Sequence, residues 1–220
     1  MYLDFAADDA GFGGYIRLER SSFWAAVVGL AGHPLVALRD DDVPRGRGLD
    51  VRTDGLWASL TCEAPGEHWS AGMEAFAVGY DDPVDALGDE RGDIVALGFD
   101  LEWERSTRGL WHVHGDVLVG DSRIAIDTVG SVGEAAVTGR VGQTAIATDD
   151  VIAIVAPDGL LAGGVASDGD VRVQLEPRWH APVKSGSGLP RALCVLTSAD
   201  HGAGVAWASA AVVNDPAAGT

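Results

Sequence analysis

The chain reads as an all-β protein: an antiparallel β-barrel, with room for a second partial barrel or sheet in its C-terminal half. Two observations predict this. Residues 94 to 128 (IVALGFDLEWE, WHVHGDVLVG and SRIAIDT) hold three successive segments of period-two alternation joined by short turns, the signature of strands with one apolar and one ionisable face. In the first, Leu97, Phe99, Leu101 and Trp103 share a parity opposite Asp100, Glu102 and Glu104; in the second, Trp111, Val113, Val117 and Val119 oppose His112, His114 and Asp116. The other observation is punctuation. With 30 glycines and 9 prolines in 220 residues, long helices have no room to form. A meander that closes with large aromatics inside either packs solid or encloses one hydrophobic small molecule.

In chain order, short strands are expected at Tyr15 to Glu19, Phe23 to Leu30 and Pro34 to Arg39. The GFGG at Gly11 to Gly14 lacks a third spaced glycine and precedes a strand, so it is a turn. A brief strand at Leu49 to Arg52 leads to a hairpin of Leu56 to Glu63 and Glu67 to Tyr80 around APG. Residues 81 to 93 carry too few apolar side chains for a strand and read as a short helix or an acidic lid loop. Beyond Val129, weak strands are expected at Glu134 to Val141, Gln143 to Thr148 and Val151 to Val155. Stronger ones follow at Val171 to Glu176, Arg191 to Leu196 and Ala203 to Val213. Residues 1–128 are thus the N-terminal barrel strands, and 129–220 complete the same barrel or build a small second one.

Charge and composition restrict the function. Fifteen Lys and Arg against 33 Asp and Glu give a formal charge of −18, which repels a phosphate backbone and argues against nucleic acid as a partner. No basic and apolar leader opens the sequence, and no apolar run reaches 18 residues, so a cytoplasmic protein without a membrane span is expected, as a monomer or homodimer. Cys62 and Cys194 lie in separate apolar strands and read as reduced core thiols.

Motif chemistry is sparse. Walker A, Cys-x-x-Cys, His-Glu-x-x-His and Gly-x-Ser-x-Gly patterns are all missing from the sequence. Ser198, Asp200 and His201 have the residue types of a triad, but near-adjacent positions on one turn cannot converge. His112 and His114 project from one strand face and could ligate a metal with Asp100, Glu102 or Asp116. Because His, Asp and Glu share that parity on both strands, the face reads as the barrel exterior, and no metal is expected. Glu74 sits among Trp69, Met73, Phe76 and Tyr80, where a carboxylate would be desolvated and serve as an acid or a ligand anchor. The alternatives for it are an ion pair with Arg17 or an edge position in water. Seven tryptophans, spread about one per strand, are expected to line a common interior. Small residues opposite them, among them Ala58, Ala71 and Gly98, leave room for a pocket.

The stretches AGFGGYIRLERSSFWAAVVG, VPRGRGLDVRTDGLWASLTCEAPGEHWSAGMEAFAVGYDDP, RGDIVALGFDLEWE, VHGDVLVGDSRIAID and PRWHAPVKSGSGLPRALCVLTSADHGAGVAWA resemble a largely uncharacterised family of actinobacterial lipocalin-like proteins. That family is more distantly similar to the carotenoid hydratase hydroxyneurosporene synthase and to lipocalin-like Diels-Alder cyclases. The resemblance implies a calycin-type barrel with a hydrophobic pocket and chemistry on polyenes, terpenoids or polyketides without a cofactor. Where such proteins carry a His-Ser-Trp-Gly-x-Arg-Asp-Trp-like segment, this chain reads TVGSVGEAAVTGR. Loss of those polar groups weakens a hydratase, which needs a strong acid and a held water. A cyclisation needs only a pocket that restricts its substrate.

The expected activity is therefore a cofactor-free cyclase, of [4+2] or rearrangement type, acting on a hydrophobic polyketide-like intermediate. Glu74 and Tyr15 would be its polar catalytic groups, and Trp57, Trp69, Met73, Phe76, Phe99, Trp103, Trp111 and Trp207 its substrate wall. A terpenoid or carotenoid hydratase or isomerase, and a non-catalytic carrier of a hydrophobic ligand, are the alternatives.

Overall fold

The structure is a computed structural model that describes residues 1–44, 48–88, 92–106, 110–133, 135–183 and 189–210. Ten strands form the first sheet: β1 (Tyr2–Ala6), β2 (Gly13–Glu19), β3 (Ser22–Val28), β4 (Leu35–Asp40), β5 (Asp50–Arg52), β6 (Leu56–Ala64), β7 (His68–Tyr80), β8 (Asp93–Arg105), β9 (Trp111–Val119) and β10 (Ser122–Val132). Their order is β4-β3-β2-β1-β10-β9-β8-β7-β6-β5, every pairing antiparallel. The end of β7 also pairs with β4, Leu35 opposite Tyr80 and Ala37 opposite Val78, so eight of these strands close into a barrel. At 13 residues β7 is long enough to serve two neighbours, and its first part carries the β5–β6 hairpin instead.

The parity of the meander puts its apolar face inside. Leu97, Phe99, Leu101 and Trp103 are each at most 3% exposed, and Phe5, Ile16, Phe23 and Met73 fill the space opposite them. Phe5 meets Phe99 edge to face at 6.1 Å, and the Trp103 indole Nε1 donates to the Asp4 carbonyl at 2.7 Å. The barrel is a packed core, as a small barrel with large inward side chains becomes.

The strand β1 has no counterpart in the sequence reading. All five of its residues are buried, so it shows no alternation, and Asp4 interrupts its apolar run. Its partner β10 runs on to Val132 to reach it, past the boundary expected at 128. Residues 83–87 form a 3-10 turn whose Asp82 side chain accepts from the Val84 amide at 3.0 Å. The rest of that acidic segment, 89–91, lies outside the described residues.

A second sheet of seven strands follows: β11 (Val137–Val141), β12 (Thr144–Thr148), β13 (Val151–Val155), β14 (Leu161–Asp168), β15 (Val171–His180), β16 (Arg191–Ser198) and β17 (Gly202–Ser209), in the order β12-β11-β17-β16-β15-β14-β13. It curls into a half-barrel around Val137, Leu161, Val173, Cys194, Leu196 and Ala206. The strand β14 also escapes the sequence reading, since LAGGVASD offers small residues without a clear period. The last strand stops at Ser209, and residues 211–213 of the longer strand expected there lie outside the described residues. Glu134, expected to start a strand, lies outside them too.

The two sheets share a core. Tyr2, Tyr15, Trp24, Val28 and Leu35 on the outside of the barrel pack against Leu193, Val205 and Trp207. Two charged side chains are buried there. Asp4 is 2% exposed, and its Oδ2 accepts from Thr138 Oγ1 at 2.5 Å. Arg191 is 4% exposed, with its guanidinium 4.4 Å from the Tyr2 ring and 4.7 Å from the Tyr15 ring. Its Nη1 donates to Ser209 Oγ at 2.8 Å and its Nη2 to the Tyr2 hydroxyl. Burial lowers its pKa to about 9, and cation–π contact with the surrounding rings offsets part of that cost.

Candidate functional site

Closure of the barrel turns one parity of β6–β9 outward, and that face carries an open groove of about 820 Å³. Cross-strand register builds it in rungs. Trp57, Glu74, Gly98 and Leu118 lie side by side across β6, β7, β8 and β9, and the next rung holds Ser59, Gly72, Asp100 and Asp116. The glycines make the floor. A Cβ on Gly72 would sit 2.9 Å from Trp57 Cη2, so the indole lies against the strand where a side chain is missing. Trp57, Phe76 and Leu118 form the apolar walls, 44%, 65% and 43% exposed. Such a cluster on an otherwise polar sheet face is a mark of a binding surface.

The groove is acidic at one side. Asp100 and Asp116 stand directly opposite each other, and Arg123 from β10 takes Asp116 in a short ion pair that holds the Asp116 carboxyl below its ordinary pKa. Arg52 at the end of β5 and Asp54 in the turn that follows it complete the rim. The surface can therefore stack an apolar ring system and offer carboxylates to hydroxyl or cationic groups at its edge.

The sequence-derived site residues divide among three places. Glu74, Trp57, Met73, Phe76 and Phe99 all line the groove, although Met73 and Phe99 point into the barrel core. Trp103 is sealed within that core, with Trp69 and Trp111 packed at its margin. Tyr15 and Trp207 lie in the core between the sheets, ring to ring at 5.2 Å, and the Tyr15 hydroxyl contacts the Ala181 carbonyl at 3.5 Å. Burial there raises the Tyr15 pKa.

Three expectations are corrected. Glu74 is exposed, because its parity is that of the outer face, and it has no desolvated surroundings. Nor does it pair with Arg17, which binds Glu19 at 2.8 Å and lies over Trp24. The tryptophans do not line one interior. Trp24, Trp179 and Trp207 belong to the inter-sheet core and Trp57 to the exterior, so the small residues Ala58 and Ala71 are met by core side chains and not by a void. Of the cysteines, both free, Cys194 is buried as expected whereas Cys62 is exposed.

Leu118 and Arg123 are groove residues that sequence reasoning misses, and Asp100 and Asp116 enter it only as candidate metal ligands. The signal was present: Trp57, Phe76 and Leu118 are large apolar residues on the polar parity of their strands. Among the described residues no helix is long and apolar enough to cross a membrane.

Fold and site together define a class: an all-β protein in which a closed eight-stranded antiparallel barrel carries a curled second sheet and an exterior, aromatic, acid-rimmed groove. No family model matches the chain, and no curated protein or solved structure matches it.

Proposed function

We propose that the protein binds a predominantly apolar small molecule in the groove on the outer face of β6–β9. One observation carries this reading: Trp57, Phe76 and Leu118 gather on a polar face above a floor of Gly72 and Gly98. Of the fates open to such a ligand, carriage without chemistry has the strongest support, since the groove is open and its carboxylates are solvated. A hydratase has the least, because Glu74 is exposed and Tyr15 lies in a different core, which leaves no buried acid beside the walls among the described residues.

A second reading, the cofactor-free cyclase or rearrangement enzyme acting on a polyketide-like intermediate, is favoured by the placement of Glu74, Asp100 and Asp116 along the aromatic wall. Carboxylates and a ring face there would stabilise positive charge developing in a folded substrate. The same location serves both readings, and mutagenesis finds it. A neutral aromatic probe, N-phenyl-1-naphthylamine, should bind the protein and lose at least about tenfold in affinity on Trp57→Ala with Phe76→Ala. Undiminished binding in that double variant would place the ligand elsewhere. Incubating a linear polyene or polyketide precursor with pure protein then separates the fates by mass and retention time. An isomeric product means cyclisation or rearrangement, a gain of water means a hydratase, and bound but unchanged precursor means a carrier.

A further inference from the structure

Two rungs beyond the groove, the same outer face carries a lattice of imidazoles and carboxylates. Register aligns His68, Glu104 and His112 across β7, β8 and β9, and beside them Ser70, Glu102 and His114. We propose that this lattice is a transition-metal site that takes Zn²⁺ on Glu104, His112 and His114.

The geometry is that of a three-ligand zinc site with an open position. One donor atom from each of these residues lies within 4.8 Å of the other two, and the His112 and His114 rings stand 5.3 Å apart, tilted by 36°. Two imidazoles and a carboxylate are donors that zinc prefers to the all-oxygen sets of calcium or magnesium. Support comes from the surrounding groups. Asp127 of β10 holds His112 Nε2 at 2.7 Å, which leaves Nδ1 as the nitrogen with a lone pair for a metal, the carboxylate–histidine–metal arrangement. Glu102 lies 3.9 Å from His114 and 3.1 Å from His68, and His68, Glu102 and Glu104 make an overlapping trio of donors. Among the described residues every ion pair of Glu102 and Glu104 is with a histidine.

The His-x-His pair alone gave weak grounds for a metal, because its parity is exterior, and that placement holds. What folding adds is Glu104 in the position of the third ligand and His68 from a strand more than thirty residues earlier. Asp100 and Asp116, the other candidate third ligands in the sequence, stand opposite each other on a rung of the groove itself.

The test is calorimetric titration of the whole, chelator-treated protein with ZnCl₂. One Zn²⁺ per chain is expected, with MgCl₂ giving no comparable binding. His112→Ala with His114→Ala should lower zinc affinity at least about a hundredfold, and Asp127→Asn about tenfold. All of these side chains are at the surface, so circular dichroism should show the variants folded. Failure of the parent protein to bind Zn²⁺, or equal affinity in the folded His112 and His114 double variant, would overturn the assignment.

Discussion

Asp4 ties the barrel to the second sheet, and its ionisation should be legible in the stability of the whole protein. Its side chain accepts hydrogen bonds from Thr138 and Ser131, each of which favours the charged form, yet burial outweighs them and raises the carboxyl from an ordinary 3.8 to about 7. The unfolded chain therefore releases this proton near 3.8 and the folded chain near 7. Between those values the folded state binds more protons, so its stability falls as pH rises, fully retained below the lower value and fully lost above the upper one. The total is about 4 kcal/mol, a large share of the roughly 5–15 kcal/mol that holds a domain folded. Asp4→Asn has no such proton, and its amide oxygen can still accept from Thr138. Urea unfolding followed by tryptophan fluorescence at pH 5 and pH 8 isolates the effect. Relative to the parent, the Asn variant should gain about 3 kcal/mol between the two pH values, the part of the linkage that falls in that interval. Equal pH slopes in the two proteins would refute the reasoning, and would mean that the Asp4 site is open to water or holds the carboxylate charged.

Three further outcomes are expected. Trp103→Phe keeps a large ring in the barrel but removes the donor to the Asp4 carbonyl, and should cost about 2–3 kcal/mol in the same unfolding assay. Gly115→Ala should cost more than about 2 kcal/mol by thermal or chemical unfolding, because φ is +128° there and a Cβ would run into the Asp100 carbonyl across the β8–β9 pair. A maleimide should label Cys62 at once in the native protein and reach Cys194 only on unfolding, since Cys194 is buried and its thiol is pushed up to about 12. Mass spectrometry of the labelled peptides distinguishes the two.

The barrel was legible in the sequence wherever one face of a strand is wet. In β8, Leu97 to Trp103 alternate with Asp100 to Glu104, and that alternation marks the strand and separates its apolar face from its ionisable one. It failed where both faces are buried, as in β1 under the second sheet, and where side chains are too small to mark a face, as in β14. The groove was half legible for a related reason. Glu74, Trp57 and Phe76 stand out in the sequence, which points to an interior pocket for them. Their parity, opposite to that of Leu56, Ala58, Met73 and Ala77, already placed them outside once the barrel is known to be filled. That Asp100, Asp116 and Arg123 join them depends on register across β8, β9 and β10, and a single sequence does not supply register.

Closure through β1 has a kinetic side. The seam sets Leu3 against Val132 and Ala6 against Val129, so the first strand of the barrel to be synthesised waits for the last one, β10, before it gains its second neighbour. Until then Phe5, Phe99 and Trp103 have no shared interior, and Asp4 has neither the indole nor Thr138 to meet. Pairings this distant in sequence make for slow, cooperative folding, with loop-closure entropy paid before most of the contacts form. A nascent chain that stalls before Val132 would display an open sheet with an unpaired edge, the species most exposed to aggregation.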